Sequence, residues 1–149
     1  MLSILREKNI YIAPVIFLGL WIYVVMAVSS FNFLSAFAFI VIVPVLLFSS
    51  SVALIVNKLN IRKKIENYII FVASGLYSVA FYLLVNTLIS ETVVSKIINN
   101  TKDIVGDAEN LSISNVSFNN NLSSGFMVFL MVLVFTKIAQ FIFRRKLVK

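Results

Sequence analysis

Four long apolar runs, at residues 10–28, 33–56, 68–89 and 125–143, restrict the solvent in which this chain folds. Each run is close to the ~20 residues that a helix needs to cross a hydrocarbon core. Inside that core every backbone N–H and C=O requires a partner within the protein, so a spanning segment is either a helix or a strand of a closed barrel. Barrel strands alternate apolar and polar positions over about 10 residues, whereas these runs are longer and too continuously apolar for that alternation. The sequence therefore predicts an all-α membrane protein. Its four transmembrane helices would form an antiparallel bundle, a single domain over residues 1–149, with a polar outer segment at residues 91–124 between the third and fourth. A mean hydropathy of +1.01 agrees, because so apolar a chain has too little polar surface to coat a soluble fold of this size.

The first run exceeds the roughly 7–15 apolar residues of a secretory signal, so it is read as a retained helix even though Ala27-Val28-Ser29 imitates a cleavage site. Basic residues then set the orientation. Arg6 and Lys8 precede the first run; Lys58, Arg62, Lys63 and Lys64 separate the second from the third; Arg144, Arg145, Lys146 and Lys149 follow the fourth. Alternating spans place all three groups on one side, which the positive-inside rule makes cytoplasmic, with both termini there. The net charge of +7 is thus an orientation signal and a surface for anionic lipid headgroups at the inner face. Nucleic acid is not an expected partner.

Neither cysteine nor histidine occurs, which removes disulfides, thiol redox chemistry and most metal and general acid–base sites. The carboxylates Glu7, Glu66, Glu91, Asp103, Asp107 and Glu109 all fall outside the expected spans, where a proton- or cation-coupled transporter needs one within. No catalytic residue, cofactor or metal is expected. A short first outer turn and a longer second one resemble tetraspanin topology, but the cysteines that define that family's outer loop are missing; nor is there the intramembrane glutamate of the small multidrug exporters.

Within the spans a few residues stand out as candidates for helix packing or interaction. Pro44, in the middle of the second run, is expected to kink its helix, with Ser49, Ser50 and Ser51 near enough to reach the carbonyls so freed. Ser74 and Ser78 make a small-x-x-x-small pair that lets helices approach closely. Asn86 is placed for an interhelical hydrogen bond. Lys137, followed by Gln140, is the one ionisable residue inside an apolar run; it is expected to snorkel towards the cytoplasmic face, with contact to a lipid phosphate or another subunit as the alternative. In the basic loop, Arg62 and Glu66 have the i,i+4 spacing of a helical ion pair.

Residues 91–105 carry apolar side chains at helical spacing, Val94, Ile97 and Ile98 among them, and read as an amphipathic helix, continuing from the third span or lying along the outer surface, that Gly106 and Asp107 would end. Beyond it, Ile113 and Phe118 lie in an Asn- and Ser-rich stretch with weak strand alternation. Val94, Ile97, Ile98, Ile113 and Phe118 make up a candidate outer recognition surface, since a mere tether is usually shorter. Matches to the Asn-x-Ser/Thr acceptor pattern at Asn99, Asn110, Asn115 and Asn121 lie on the same side. The expectation from sequence is a non-enzymatic protein of a bacterial inner membrane that acts by protein–protein contact. It would be an accessory subunit of a membrane complex or an immunity-type protein against a membrane-directed toxin. A homo-oligomeric pore or small-solute carrier is the alternative.

Overall fold

The computed structural model describes residues 9–59, 62–105 and 122–147, and among them every regular element is helical. Helix α1 (Asn9–Ala27) passes through one 3-10 turn, Val28–Ser30, into α2 (Phe33–Leu59). Then come α3 (Lys63–Leu88), α4 (Glu91–Val105) and α5 (Leu122–Leu147). α2, α3 and α5 are each long and apolar enough to cross a membrane; the described apolar part of α1, Val15–Ser30, is shorter.

The α1–α2 turn is tight because its polar residues close it. Ser30 Oγ donates to the Ala27 carbonyl at 2.7 Å. Asn32 and Ser35 form a reciprocal capping box at the start of α2, which satisfies backbone N–H groups that the first turn of a helix leaves unpaired.

Pro44 acts on the turn before it. Its ring would clash with the carbonyl four residues back in a regular α-helix, and it has no N–H to offer. The helix before it is widened into a π-helix over Phe37–Ile42, and the Val43 N–H bonds to Ala38 O, five residues back. The expected kink thus takes the form of a π stretch inside α2. The serines do not serve it in the way expected. Ser51 Oγ donates to Leu47 O at 2.7 Å within its own helix, and Ser49 Oγ crosses to Val132 O on α5 at 3.3 Å.

α2 and α3 both pack on α5, and α1 packs on α2. The α2–α5 seam brings Val45, Ser49, Ala53 and Val56 against a face that includes Val128, Val132 and Thr136, all buried. Between α1, α2 and α3 lies an aromatic cluster, with Phe17 touching Trp21, Phe48 and Tyr77, and Phe48 stacked on Tyr77 at 4.5 Å. Large apolar side chains cover the outward faces of α1, α3 and α5: Leu18, Ile22 and Met26; Phe71, Leu76 and Val79; Phe126, Val134 and Phe141. In water such a surface would drive aggregation. It suits a chain whose surroundings are acyl chains.

α4 is a separate helix rather than an extension of α3, because the chain breaks at Ile89 and Ser90. It lies over the α1–α2 turn. Asn100 Nδ2 donates to Ser29 O and Phe31 O, both at 3.1 Å, and Thr101 Oγ1 accepts from the Phe33 N–H at 2.8 Å. α4 is described as far as Val105; the stop expected at Gly106 and Asp107 and the strand alternation around Ile113 and Phe118 lie outside the described residues.

Candidate functional site

The polar side chains of the bundle converge at the end that carries the basic residues. α2 runs on to Leu59 and α3 begins at Lys63, so much of the basic stretch between the second and third apolar runs is helical. Glu66 lies in the first turn of α3, facing α5, with 5% of its surface exposed. Its Oε1 accepts from Gln140 Nε2 at 2.7 Å and from Arg144 at 2.5 Å. Arg144 also reaches Asn57 Oδ1 of α2 through Nε, at 3.4 Å. One carboxylate therefore fastens α3 to α5, and the guanidinium extends the network to α2.

The pairing of Glu66 with Arg62 expected from their spacing gives way to this arrangement. An i,i+4 pair on an exposed helix face is worth only a few tenths of a kcal/mol. A buried carboxylate needs charge-assisted donors on several sides, and only α5 brings them. Arg62 instead stands exposed at the N-cap of α3, with no side-chain cap bond.

Lys137 lies on the same stripe of α5 as Arg144, seven residues earlier, but on an exposed part of it. Its Nζ donates to Asn67 Oδ1 on α3. Gln140, three residues on, is buried against Glu66, so the two polar residues noted together in the sequence have different surroundings.

The small residues of α3 divide in the same way. Ser74 is buried but bonds back to Ile70 O at 2.8 Å, within its own helix. Ser78 crosses to Gly125 O on α5 at 2.5 Å. A Cβ placed on Gly125 would stand 3.6 Å from Ser78 Oγ, an ordinary contact distance, so of the Ser74–Ser78 pair Ser78 is the member that bonds to α5. Asn86 is exposed near the opposite end of α3, far along the helix from the basic end.

Of the candidate recognition residues on α4, Ile97 is 3% exposed and belongs to the core, while Val94 and Ile98 are half-buried. α4 turns Ile97 to the core above the α1–α2 turn and presents Glu91, Lys96, Asn99, Lys102 and Asp103 outward, with Ile104 also exposed. Ile113 and Phe118 lie outside the described residues.

Sequence reading missed the network around Glu66 because its members are more than 70 positions apart; the i,i+3 and i,i+4 placement of Lys137, Gln140 and Arg144 along one side of α5 was its only available trace. It also missed two buried polar atoms of the aromatic cluster, Trp21 Nε1 and the Tyr77 hydroxyl, which have no hydrogen-bond partner among the described residues. A groove of about 510 Å³ opens between the π stretch of α2, α3 and α5, lined by Phe37, Ile40, Phe81, Val85, Met127 and Met131 with Ser123 and Ser124 among its other walls. Its surface offers little but hydrocarbon contact. Among the described residues no group of acidic side chains is placed to hold a metal ion.

Comparison of the chain with protein-family models, curated proteins and solved structures finds no match.

Proposed function

We propose that the protein is a small integral membrane protein that acts by protein–protein contact, without catalysis, as an accessory subunit of a membrane complex or as an immunity-type protein against a membrane-directed toxin. In this reading α1 joins α2, α3 and α5 as a fourth span of an antiparallel bundle in a bacterial inner membrane. The basic end, with both termini, is cytoplasmic, because Lys and Arg gather on that side of translocated chains. α4 then lies on the outer face with its polar side outward.

The observation that carries the reading is where the buried polar groups are spent. Ser49, Ser74, Thr136, Glu66 and Gln140 are all buried, and each is hydrogen-bonded within the chain. Such bonds rigidify a bundle and leave its outer surfaces to do the recognising. Those surfaces are the apolar flanks of α1, α3 and α5 and the polar face of α4.

A pore or carrier has less support. Of Pro44, Ser49 to Ser51, Asn86, Lys137 and Gln140, which would line it, Ser49 and Gln140 are buried in helix contacts, Pro44 is buried in α2, Ser50 and Ser51 are half-buried with Ser51 bonded to Leu47 O of its own helix, Lys137 faces outward and Asn86 is exposed near the far end of α3. They share no path.

The test is gentle extraction of the tagged protein from its native membrane, followed by native mass measurement and identification of co-purifying chains. A stoichiometric heterologous membrane protein is the expected result. A defined homo-oligomer with no other chain, able to pass solute into liposomes, would overturn the proposal.

A further inference from the structure

We propose that Lys137 and Asn67 hold the phosphate of an anionic phospholipid of the inner leaflet where α3 and α5 meet. The inference rests on the reading above that these helices cross the bilayer with their basic ends at the cytoplasmic face.

It starts from an imbalance between two cations on one stripe of α5. Arg144 is neutralised by the buried Glu66 carboxylate. Lys137 lies seven residues further into the helix, about 10 Å at 1.5 Å per residue, and its partner among the described residues is the neutral Asn67 Oδ1. An ammonium at that depth is costly unless an anion or the interface reaches it. Lys137 is exposed, so the anion comes from the surroundings of the bundle rather than from its core.

The geometry around Lys137 suits a phosphate with acyl chains attached. An ammonium has three donor hydrogens and Asn67 engages one direction of them. With its Oδ1 turned to Lys137, Asn67 has its own NH₂ group left as a second donor. Lys63, four residues before Asn67 on α3, lies on the same helix face nearer the aqueous end, with Lys64 beside it, and both are exposed. Towards the centre of the bundle the same faces turn apolar: Phe71, four residues after Asn67, is 57% exposed, and Val134, three before Lys137, is 50% exposed. Cations at the headgroup level with exposed hydrocarbon beneath them match the polarity of a phospholipid along its length. A free anion would make no use of Phe71 and Val134.

The test uses the full chain in nanodiscs of phosphatidylcholine containing phosphatidylglycerol, released into the gas phase so that lipids still bound are counted by native mass spectrometry. Wild-type protein is expected to retain phosphatidylglycerol in preference to phosphatidylcholine. Lys137→Gln should lower that retention about five-fold, the factor for one basic residue at the membrane surface. Asn67→Ala should lower it by less, Lys137→Arg should preserve it, and Lys96→Gln on α4 should leave it unchanged. Retention of Lys137→Arg separates loss of the site from failure to fold. Equal retention by wild type and Lys137→Gln, or no preference between the two lipids, would overturn the proposal. So would stabilisation of detergent-purified protein by inorganic phosphate with no retained phospholipid, which would mark a free-anion site. Failure of the underlying topology is read separately: the chain has no cysteine, so Ser30→Cys and Lys58→Cys each report their side of the membrane to an impermeant thiol reagent.

Discussion

Arg144 donates to Glu66 across 78 residues of chain and ties the last turns of α5 to the first turn of α3. Glu66 is almost fully covered, while the Arg144 side chain is 48% exposed. The two ends of this ion pair therefore respond differently to removal. Without Arg144 the carboxylate keeps only Gln140; without Glu66 the guanidinium turns to water or headgroups, and it is the buried Gln140 amide that loses its acceptor.

Glu66→Ala is accordingly expected to destabilise the bundle by about 1–3 kcal/mol, the cost of an unsatisfied buried polar group. The exposure of Arg144 keeps its own share small. The pair Glu66→Ala and Arg144→Ala should fall short of the sum of the single effects by at least ~0.5 kcal/mol, because residues in one network couple. Reversible unfolding in mixed micelles measures all three. Strict additivity would mean that the two residues do not act together.

Ser49 makes a prediction about packing as well as polarity. Its 3.3 Å bond to the Val132 carbonyl lies in the α2–α5 seam, beside Ala53 and Val45. Hydrogen bonds between membrane helices average about 0.6 kcal/mol, so Ser49→Ala should cost no more than ~1 kcal/mol. Ser49→Leu should cost ~1–3 kcal/mol or more by forcing the helices apart. The same unfolding measurement checks this contrast; a leucine tolerated as well as alanine would show that the seam is loose.

How far the sequence reveals this architecture depends on the range of the forces involved. Apolar length alone announces α2, α3 and α5, because the bilayer acts on each segment by itself. The amphipathic period of residues 91–105 likewise marks α4 locally. What periodicity lacks is the choice of neighbour. Glu66 has a sequence-local partner in Arg62 and a distant one in Arg144, and burial against α5 decides between them. Ile97 reads as an exposed apolar residue of an outer helix until the α1–α2 turn is seen beneath it. Pro44 signals a disturbance, but whether the helix bends or widens depends on keeping Ala36 and Ile40 on the buried face.

Removal of the contacts that seat α4 should free that helix without disturbing the spans. Asn100 and Thr101 together engage Ser29, Phe31 and Phe33, each bond contributing about 0.5–1.5 kcal/mol. Asn100→Ala with Thr101→Ala should therefore leave α4 held chiefly by Ile97, and adding Ile97→Asp should detach it. Lys96 and Lys102 are exposed on α4 and give trypsin its sites. Cleavage of the detergent-purified protein at these two lysines is expected to speed up by at least ~10-fold in the triple variant, since each 1.4 kcal/mol of lost docking raises the open population tenfold. Unchanged cleavage would show that α4 is held by something other than these contacts.

The π stretch at Phe37–Ile42 offers the remaining prediction, because two causes can be separated there. Pro44 forbids a regular turn by its ring and its missing N–H, yet the widened turn also sets which residues of α2 meet the core. Ala36 before it, Ile40 within it and Pro44, Val45 and Ser49 after it all face inward. An α-helix turns 100° per residue, so deleting the extra residue of a π turn would rotate Ala36 out of the core. Pro44→Ala restores the N–H but not a reason to rotate. The π stretch should therefore persist in Pro44→Ala, with stability changed by less than ~1.5 kcal/mol and with slow amide exchange at residue 44 as the new donor finds a carbonyl. Deletion of Val41, which removes the additional residue, should regularise the helix only in combination with Pro44→Ala. Distance measurements between spin labels at Leu34→Cys and Leu54→Cys, both exposed on α2, report the outcome. A shift in that distance in Pro44→Ala alone would show that proline, rather than the packing of Ala36 and Ile40, holds the turn open.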